Sequence, residues 1–189
     1  MDIENSKLPP HSFDSEQSVL GGLMLHNDAW DRVADILSTG DFYNASHRII
    51  YDAIVRLVEH DKPADILTVK EQVIKTQDED SIGGFSYLAQ IADNTPSVSN
   101  IEAYAKHVRE LSVYRQLIAV GRGIADTAYQ PKDIEVNELL DLSEKKIFEI
   151  AGQVSRNKQD VVNVKDIIKD VVNRVHEMHK KTGVKGLET

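Results

Sequence analysis

Histidine is the residue type in this chain that most invites a metal site, because its ring nitrogens are common zinc ligands. Seven histidines are present, and the closest pair is His176 and His179. Side chains at i and i+3 of a helix share one face and could share one ion. The zincin signature instead places its histidines at i and i+4, and no third ligand is nearby in the sequence. We therefore predict solvated histidines and no metal site.

A second candidate is the pair His47 and Arg48, which follows Asn44 at the predicted start of a helix. The free backbone N–H groups of a helix N-terminus attract anions, so the pair could hold an anionic group of a substrate. The alternative is local: His47 packs inside the fold, and Arg48 pairs with an acidic neighbour such as Asp41 or Asp52. We favour the local interpretation.

The common catalytic motifs are missing from the sequence. The acidic turn Asp78-Glu79-Asp80 lacks the spacing and the central glycine of an EF-hand. The segment Lys180-Lys181-Thr182-Gly183 holds the residue types of a Walker loop in the wrong order. There is no cysteine and no G-x-S-x-G motif, so neither a thiol nucleophile nor a serine-hydrolase elbow exists. We predict no catalytic residues and no bound cofactor, and expect that this chain is not an enzyme.

Composition and charge point to protein partners. A formal net charge of −9 argues against broad contact with nucleic-acid phosphates, so strong direct DNA binding is not expected. No apolar run is long enough to cross a membrane, and the first residues lack the pattern of a secretory signal. Together with the absence of cysteine, these features predict a cytoplasmic protein.

The elements that carry these residues are predicted to be helices throughout. Apolar residues recur at helical spacing and no strand alternation is visible, so the predicted class is all-α. Gly21 and Gly22 lie inside the first predicted helix, where each costs about 1 kcal/mol relative to alanine. Close packing against a neighbouring backbone would explain them. Short helices up to residue 98 are expected to form a small helical globule.

A protruding antiparallel helical hairpin over residues 99–154 is predicted to organise the chain. Ser99 and Glu102 form a capping box at its start, and Pro131 ends the first arm. The main apolar stripe of the first arm comprises Ile101, Tyr104, Val108, Leu111, Tyr114, Ile118, Gly121, Ala125 and Ala128. The second arm carries Val136, Leu140, Ser143, Ile147, Ile150 and Val154. A short turn joins the arms.

The first arm carries a further apolar row, which needs a partner of its own. Its members, about 100° round from the main stripe, are Val113, Leu117, Val120 and Ile124. One face can pack on the second arm, while the other packs either on the hairpin's own globule or on a second polypeptide. We predict that this row, with Leu140 and Ile147 opposite, forms oligomer and partner contacts.

The chain after the hairpin changes character. Residues 153–162 are polar and are predicted to be a flexible linker, followed by a tethered linker helix over residues 163–183. Its many β-branched residues are mediocre helix formers, so the helix should need a groove to pack into. The groove could lie in this chain or on a neighbour, and we favour the neighbour. The predicted docking edge comprises Ile168, Val171 and Val175.

Several of these segments, in this order, resemble the N-terminal part of the DnaB family of bacterial replicative DNA helicases. They are Pro9-Pro10-His11-Ser12, residues 16–23, Asp41-Phe42-Tyr43, residues 47–50, residues 83–88, Asn94-Thr95-Pro96-Ser97, residues 100–105 and residues 108–110. Gly186-Leu187-Glu188-Thr189 resembles the opening of the family's RecA-like motor domain. The resemblance implies that residues 1–152 are the N-terminal domain, that 163–183 are the linker helix, and that 184–189 begin an otherwise absent motor domain.

The resemblance also implies a role in assembly. In the family, pairs of hairpins dimerise, and three pairs form a collar over the hexameric motor ring. The C-terminal domain of primase docks on the collar, and helicase loaders or initiators are further candidate partners. The linker helix packs on the adjacent motor domain, while the ATP and Mg²⁺ sites lie in that absent domain. The alternative is a stand-alone helical regulatory or dimerisation protein, whose tail helix folds back onto its own core.

Overall fold

The computed structural model describes residues 8–76, 79–131 and 134–156, and over these ranges it contains helices and no β-strand. The predicted all-α class is therefore confirmed. The α-helices are α1 (Phe13–Leu25), α2 (Ala45–Val58), α3 (Ile66–Thr76), α4 (Gly84–Asp93), α5 (Ile101–Tyr129) and α6 (Val136–Arg156). Short 3-10 helices cover Asn27–Arg32, Thr39–Asp41, Glu79–Ile82 and Val98–Asn100.

The chain divides into two compact units, Met1–Ala151 and Gly152–Thr189. The second is described only up to residue 156, where α6 ends. Residues 153–156 are thus helical, although the predicted linker begins at residue 153. The rest of that linker, the predicted linker helix, the start of the motor domain and the docking edge of Ile168, Val171 and Val175 lie outside the described residues, as do His176 and His179.

Helix α1 occupies the centre of the first unit and packs against α2, α4 and α5. Its two interior glycines permit this. A Cβ atom on Gly21 would lie 1.9 Å from Thr95 Oγ1 and 2.7 Å from the Ile91 carbonyl oxygen. One on Gly22 would lie 2.9 Å from Ile101 Cδ1. The predicted close approach of a neighbouring backbone is confirmed at Gly21, where the Ile91 carbonyl of α4 occupies the space, whereas at Gly22 the close neighbour is the side chain of Ile101 at the start of α5.

The helix starts were predicted less well than the helices. Asn44 caps α2 as expected, its Oδ1 accepting the Ser46 N–H at 2.8 Å. The predicted capping box of Ser99 and Glu102 is wrong, since α5 begins at Ile101 after a 3-10 turn. The Ser99 N–H donates to Ser97 Oγ at 3.2 Å. Glu102 accepts a hydrogen bond from Lys106 Nζ at 2.7 Å, one turn further along the exposed surface.

Helix α5 has 29 residues and takes part in two different environments. Its first half is packed into the globule through a buried stripe, whose members are Ile101, Ala105, Val108 and Ser112. Alongside its second half runs α6, and one cavity is lined by Gly123, Ile124 and Thr127 of α5 and by Leu139, Leu142, Ser143 and Lys146 of α6. Only six residues separate the two helices, and this shared cavity joins the end of α5 to the first half of α6, so the two helices form the predicted antiparallel hairpin.

Candidate functional site

Beyond Ser112, the hairpin exposes large apolar side chains on both helices. Leu140 is 57% exposed and Ile147 is 49% exposed on α6, and Phe148 beside them is more exposed still. On α5, the main stripe emerges from the globule and becomes exposed. We define the hairpin face by five residues: Tyr114, Leu117, Ile118, Leu140 and Ile147.

The predicted row on α5 is divided by the returning helix. Ile124 lines the cavity between α5 and α6, while Val113 and Val120 are half-buried. Of these four residues only Leu117 is exposed, at 43%. Each α5 residue turns the helix by about 100°, so the main stripe drifts round and α6 covers the row rather than the stripe. Tyr114 and Ile118, which were assigned to the main stripe, therefore stand next to Leu117 in contact with water.

Helix geometry places both halves of the hairpin face on one side. Its α5 members are offset by roughly 125° from the side of α5 that contacts α6. Its α6 members are offset by roughly 100° from the side of α6 that contacts α5, in the same sense along the chain. Because the helices run antiparallel, these two offsets point the same way. The hairpin face is thus one surface contributed by two helices.

The N-terminus of α2 is an anion site, and the anion is the chain's own Glu16. Its carboxylate accepts the Tyr43 N–H at 2.6 Å and the Asn44 N–H at 3.3 Å. His47 Nδ1 lies 2.6 Å from Glu16 Oε2, and both side chains are almost wholly buried. These N–H groups immediately precede Ala45, the first residue of α2, so a second anion at this helix start would be repelled by the Glu16 carboxylate. The substrate-anion hypothesis for His47 and Arg48 is therefore wrong, and the predicted packing of His47 inside the fold is confirmed.

The remaining polar atoms around His47 form a closed set. His47 Nε2 lies 2.8 Å from the Tyr87 hydroxyl, which accepts a hydrogen bond from Gln17 Nε2 at 3.2 Å. If the Nδ1–H of His47 donates to Glu16, its Nε2 accepts the Tyr87 O–H, so that both ring nitrogens and the Tyr87 hydroxyl have partners. This arrangement holds α1, α2 and α4 together and leaves no reactive group open to a substrate.

Arg48 does not pair with Asp41 or Asp52 as predicted. Its guanidinium donates instead to the Phe42 carbonyl at 2.6 Å and, at 3.4 Å, to the carbonyl of Tyr43. Asp52 pairs with Arg56, one turn along α2. Carbonyl oxygens of the loop before α2 would otherwise lack partners, and Arg48 satisfies them.

Asp41 is the second buried carboxylate, and α5 supplies its counter-charge. Arg109 Nη1 donates to Asp41 Oδ1 at 2.6 Å. Asp41 Oδ2 accepts the N–H and the hydroxyl of Ser38, at 2.8 Å and 2.9 Å. Burial raises the pKa of the nearby Tyr51 hydroxyl, and the Asp41 charge raises it further. This pair could not be predicted from the sequence, since Asp41 and Arg109 are distant in the sequence and belong to different elements.

The Arg115 guanidinium was also missed. It donates to the Pro10 carbonyl at 2.8 Å and to the Asp41 carbonyl. Burial lowers the pKa of Arg115 and the Arg48 charge lowers it further, whereas Glu16 and Asp41 raise it. The sequence signal for these arginines is that Arg109 and Arg115 flank the apolar residues Leu111, Val113 and Tyr114 of α5.

Neither buried carboxylate has the surroundings of a catalytic or metal-binding group. Among the residues that the structure describes, no three His, Asp or Glu side chains are grouped closely enough to hold a metal ion. Nor does any helix in the described ranges combine the length and the apolar character needed to cross a membrane. The hairpin face, with its exposed apolar side chains, is the better candidate for a functional surface.

Comparison with known families and proteins gives one consistent match. Residues 8–110 match the model of the DnaB-like helicase N terminal domain. The replicative DNA helicase DnaB of Pasteurella multocida is 37% identical over 185 residues, which cover 98% of this chain and 40% of that protein. The replicative DNA helicase DnaC of Bacillus subtilis is 36% identical, over 100% of this chain and 41% of its own length. The chain thus spans about two fifths of the length of these curated relatives.

Solved structures agree with these matches. The crystal structure of the N-terminal domain of DnaB helicase from Mycobacterium tuberculosis has a TM-score of 0.72 and 34% identity, over 75% of this chain and 99% of that one. A structure of a DnaB-like replicative helicase and its interactions with primase has a TM-score of 0.59 and 21% identity, over 74% of this chain and 30% of that one. At the latter identity the likeness concerns the fold alone.

Proposed function

The chain belongs to the DnaB-like helicase N-terminal domain family, and on that premise we propose that it is a non-catalytic module for helicase assembly and primase docking. Through its hairpin, two copies would pair, and pairs would build the collar of a hexameric replicative helicase. The collar would then receive the C-terminal domain of primase, and a loader or initiator is a further candidate partner. The complete helicase would hydrolyse ATP through its motor domain and work in the cytoplasm at the replication fork.

The observation that carries this proposal is the exposed hairpin face. Burying a leucine or isoleucine side chain is worth about 1.5–3 kcal/mol, so a group of such side chains left in water on one side of the hairpin favours association. Its five residues come from two antiparallel helices that show them on one side. The resulting surface is suited to a second hairpin with the same face, as in a two-fold symmetric dimer.

The predicted contact residues take different parts in this proposal. Leu117, Leu140 and Ile147 would contact the second copy directly, since they are exposed. Val113, Val120 and Ile124 would act by supporting the packing of α5 on α6, since they are half-buried. The inference of primase docking draws on the structural relative that is described with primase.

Self-association is tested by measuring the mass in solution over a concentration series. We expect the 189-residue chain to form dimers that dissociate on dilution. The variant Leu140→Asp should weaken the dimer about a hundredfold or more, because a charge would be buried in the apolar interface. Leu67→Asp is the matched control: Leu67 lies on α3 and, at 62% exposure, resembles Leu140 at 57%.

A chain that stays monomeric at every concentration contradicts the pairing and favours the stand-alone regulator. So does a Leu140→Asp variant that associates as well as Leu67→Asp.

Primase docking is tested separately, by titrating the folded chain with the C-terminal domain of primase and following the heat of binding. Absence of binding by a dimeric sample contradicts the docking half of the proposal alone.

The docking edge of the predicted linker helix remains part of the proposal. In the complete helicase, Ile168, Val171 and Val175 would pack on the motor domain of the adjacent subunit. Replacing Ile168 with Asp there should weaken the hexamer, because an apolar contact would become a buried charge. Asn173→Asp, which adds the same charge roughly 170° round the predicted helix from that edge, is the control. An unchanged hexamer in analytical ultracentrifugation contradicts the assignment.

A further inference from the structure

Arg109 and Arg115 hold α5 from two sides at the point where it leaves the globule. A rotation of about 100° per residue places Arg109 roughly 70° to one side of the buried stripe of α5, and Arg115 roughly 50° to the other. Both side chains nevertheless reach Asp41. Arg109 Nη1 donates to the carboxylate at 2.6 Å, and the Arg115 guanidinium donates to the backbone carbonyl.

Asp41 is a firm anchor for these two arginines. It is 2% exposed and ends the 3-10 helix Thr39–Asp41, whose capping box it forms with Ser38. Its second carboxylate oxygen is already occupied by the Ser38 N–H and hydroxyl. The carboxylate therefore has little freedom to follow a moving Arg109.

Arg115 has a second attachment, to the segment that precedes α1. Its Nη1 donates to the Pro10 carbonyl at 2.8 Å. Its guanidinium also lies over the Tyr43 ring, 5.7 Å from the ring centroid, and Tyr43 in turn stacks on His11 at 4.3 Å. Such charge-assisted and stacked contacts are directional, unlike apolar packing.

The contrast between directional contacts and apolar packing matters for the motion of α5. The buried stripe alone resists translation of α5 better than it resists rotation of α5 about its own axis. Apolar packing opposes lifting α5 away from α1, but it changes little when a helix turns by a few degrees about its own axis. That turn would move α6 most, because packed helices lie roughly 8–10 Å apart and α6 lies off the axis of rotation. The direction of the hairpin face would change with it.

We propose that Asp41, Arg109 and Arg115, here called the Asp41 clamp, are positioning residues that fix the rotation of α5 and so set the direction in which the hairpin face points. This inference deepens the proposed function, because the face matters only if it docks a partner. The rotation itself can be measured without any partner. Failure of the clamp and failure of the docking proposal are therefore distinguishable.

The experiment measures two distances by pulsed electron paramagnetic resonance. The chain has no cysteine, so two introduced cysteines are the only sites for spin labels. One label replaces Glu71 on α3; the other replaces either Ala119 on α5 or Glu144 on α6, all of which are exposed. Labelled protein is diluted with unlabelled protein, so that distances within one copy dominate.

The variant Arg115→Gln should shift or broaden the distance from α3 to α6 while changing the distance from α3 to α5 little. The reason is that Ala119 lies near the axis of rotation and Glu144 lies away from it. Arg115→Lys keeps the charge and one donor group, so it should give a smaller change. Arg122→Gln, an exposed arginine further along α5, is the matched control and should change neither distance.

Self-association of the same variants provides the functional measurement. If only a tenth of Arg115→Gln molecules have the correct rotation, the apparent dissociation constant of the dimer rises about a hundredfold, because both copies must have that rotation. Fluorescence of the single tryptophan, Trp30, reports whether the globule stays folded. Equal distance distributions for wild type, Arg115→Gln and Arg115→Lys would overturn the proposal. So would equal changes in both distances, which indicate general loosening of the globule.

Discussion

The globule and the hairpin treat polar and apolar side chains in opposite ways. In the globule, Glu16 and Asp41 are at most 2% exposed, and each carboxylate is bonded by partners from other elements. In the hairpin, Leu140 and Phe148 face water. A buried charge without partners is costly, and so is an exposed group of large apolar side chains. In the globule, the buried carboxylates find their partners within the same chain. The exposed apolar side chains of the hairpin, by contrast, can be buried only by another molecule.

The comparison predicts that the free energy of unfolding depends on the globule's polar groups first. Glu16→Ala should lower it by about 3–5 kcal/mol, because the change removes the partner of His47 and of two backbone N–H groups. The matched control, Glu71→Ala on the exposed side of α3, should stay within about 0.5 kcal/mol. Chemical denaturation followed by Trp30 fluorescence measures both. Equal effects would mean that burial of Glu16 contributes nothing.

Glycine substitutions should give opposite signs in the two regions. Gly21→Ala should lower the free energy of unfolding by about 1–3 kcal/mol, because its Cβ would meet a backbone oxygen of Ile91 at 2.7 Å. Gly121→Ala should raise helix stability by roughly 0.5–1 kcal/mol, since no atom lies within 4 Å of its added Cβ. Thermal unfolding followed by circular dichroism distinguishes the two. Destabilisation by both substitutions would contradict the difference in packing.

Alkaline pH should act on the globule through Tyr51. The pKa of its hydroxyl is raised in the folded state, so the stability it contributes is fully present below the unfolded-state pKa of 10.0. This contribution falls as pH rises towards the folded-state pKa, because the unfolded chain then releases the proton first. Denaturation at pH 8 and above pH 10 should show the loss, and Tyr51→Phe should reduce it. A pH dependence that is identical in Tyr51→Phe contradicts the assignment.

The smallest effect on unfolding is expected at the hairpin face. Leu140→Asp replaces a side chain that is 57% exposed, so the free energy of unfolding of the monomer should change by less than about 0.5 kcal/mol. Denaturation at high dilution measures this value, and Leu67→Asp provides the reference. A large loss in Leu140→Asp alone would mean that the hairpin face contributes to the globule, against the contrast drawn above.

Periodicity was enough to predict the helices and the hairpin. In the 29-residue helix α5, apolar residues recur at steps of three and four, and the helix ends just before a proline. Both signals are local in the sequence. Gly21 also indicated a close backbone, although the sequence does not say that α4 supplies it. The capping box at Ser99 is wrong because a 3-10 turn over Val98–Asn100 moves the start of α5 to Ile101, and the sequence does not show this shift.

The interior polar contacts could not be predicted in the same way. Glu16 and His47 are separated by 31 positions, and Asp41 and Arg109 by 68. No local pattern in either segment indicates which distant residue it contacts. The predicted partners of Arg48 were therefore acidic residues close to it in the sequence. The sequence also could not predict which face of α5 is covered by α6. It depends on how far the stripe drifts along the helix, which a sequence shows only if the first contact point is known.

The continuity of α5 ties the architecture of the core to the direction of the outward surface. One added residue between Ser112 and Tyr114 would rotate the hairpin beyond it by about 100°. The hairpin face would then point away from the second copy. Seven added residues would turn it by only about 20°, while lengthening the arm by nearly two turns. The hairpin can therefore change its reach in steps of about a heptad without losing its aim, whereas single-residue changes of length are costly to assembly even where the globule tolerates them.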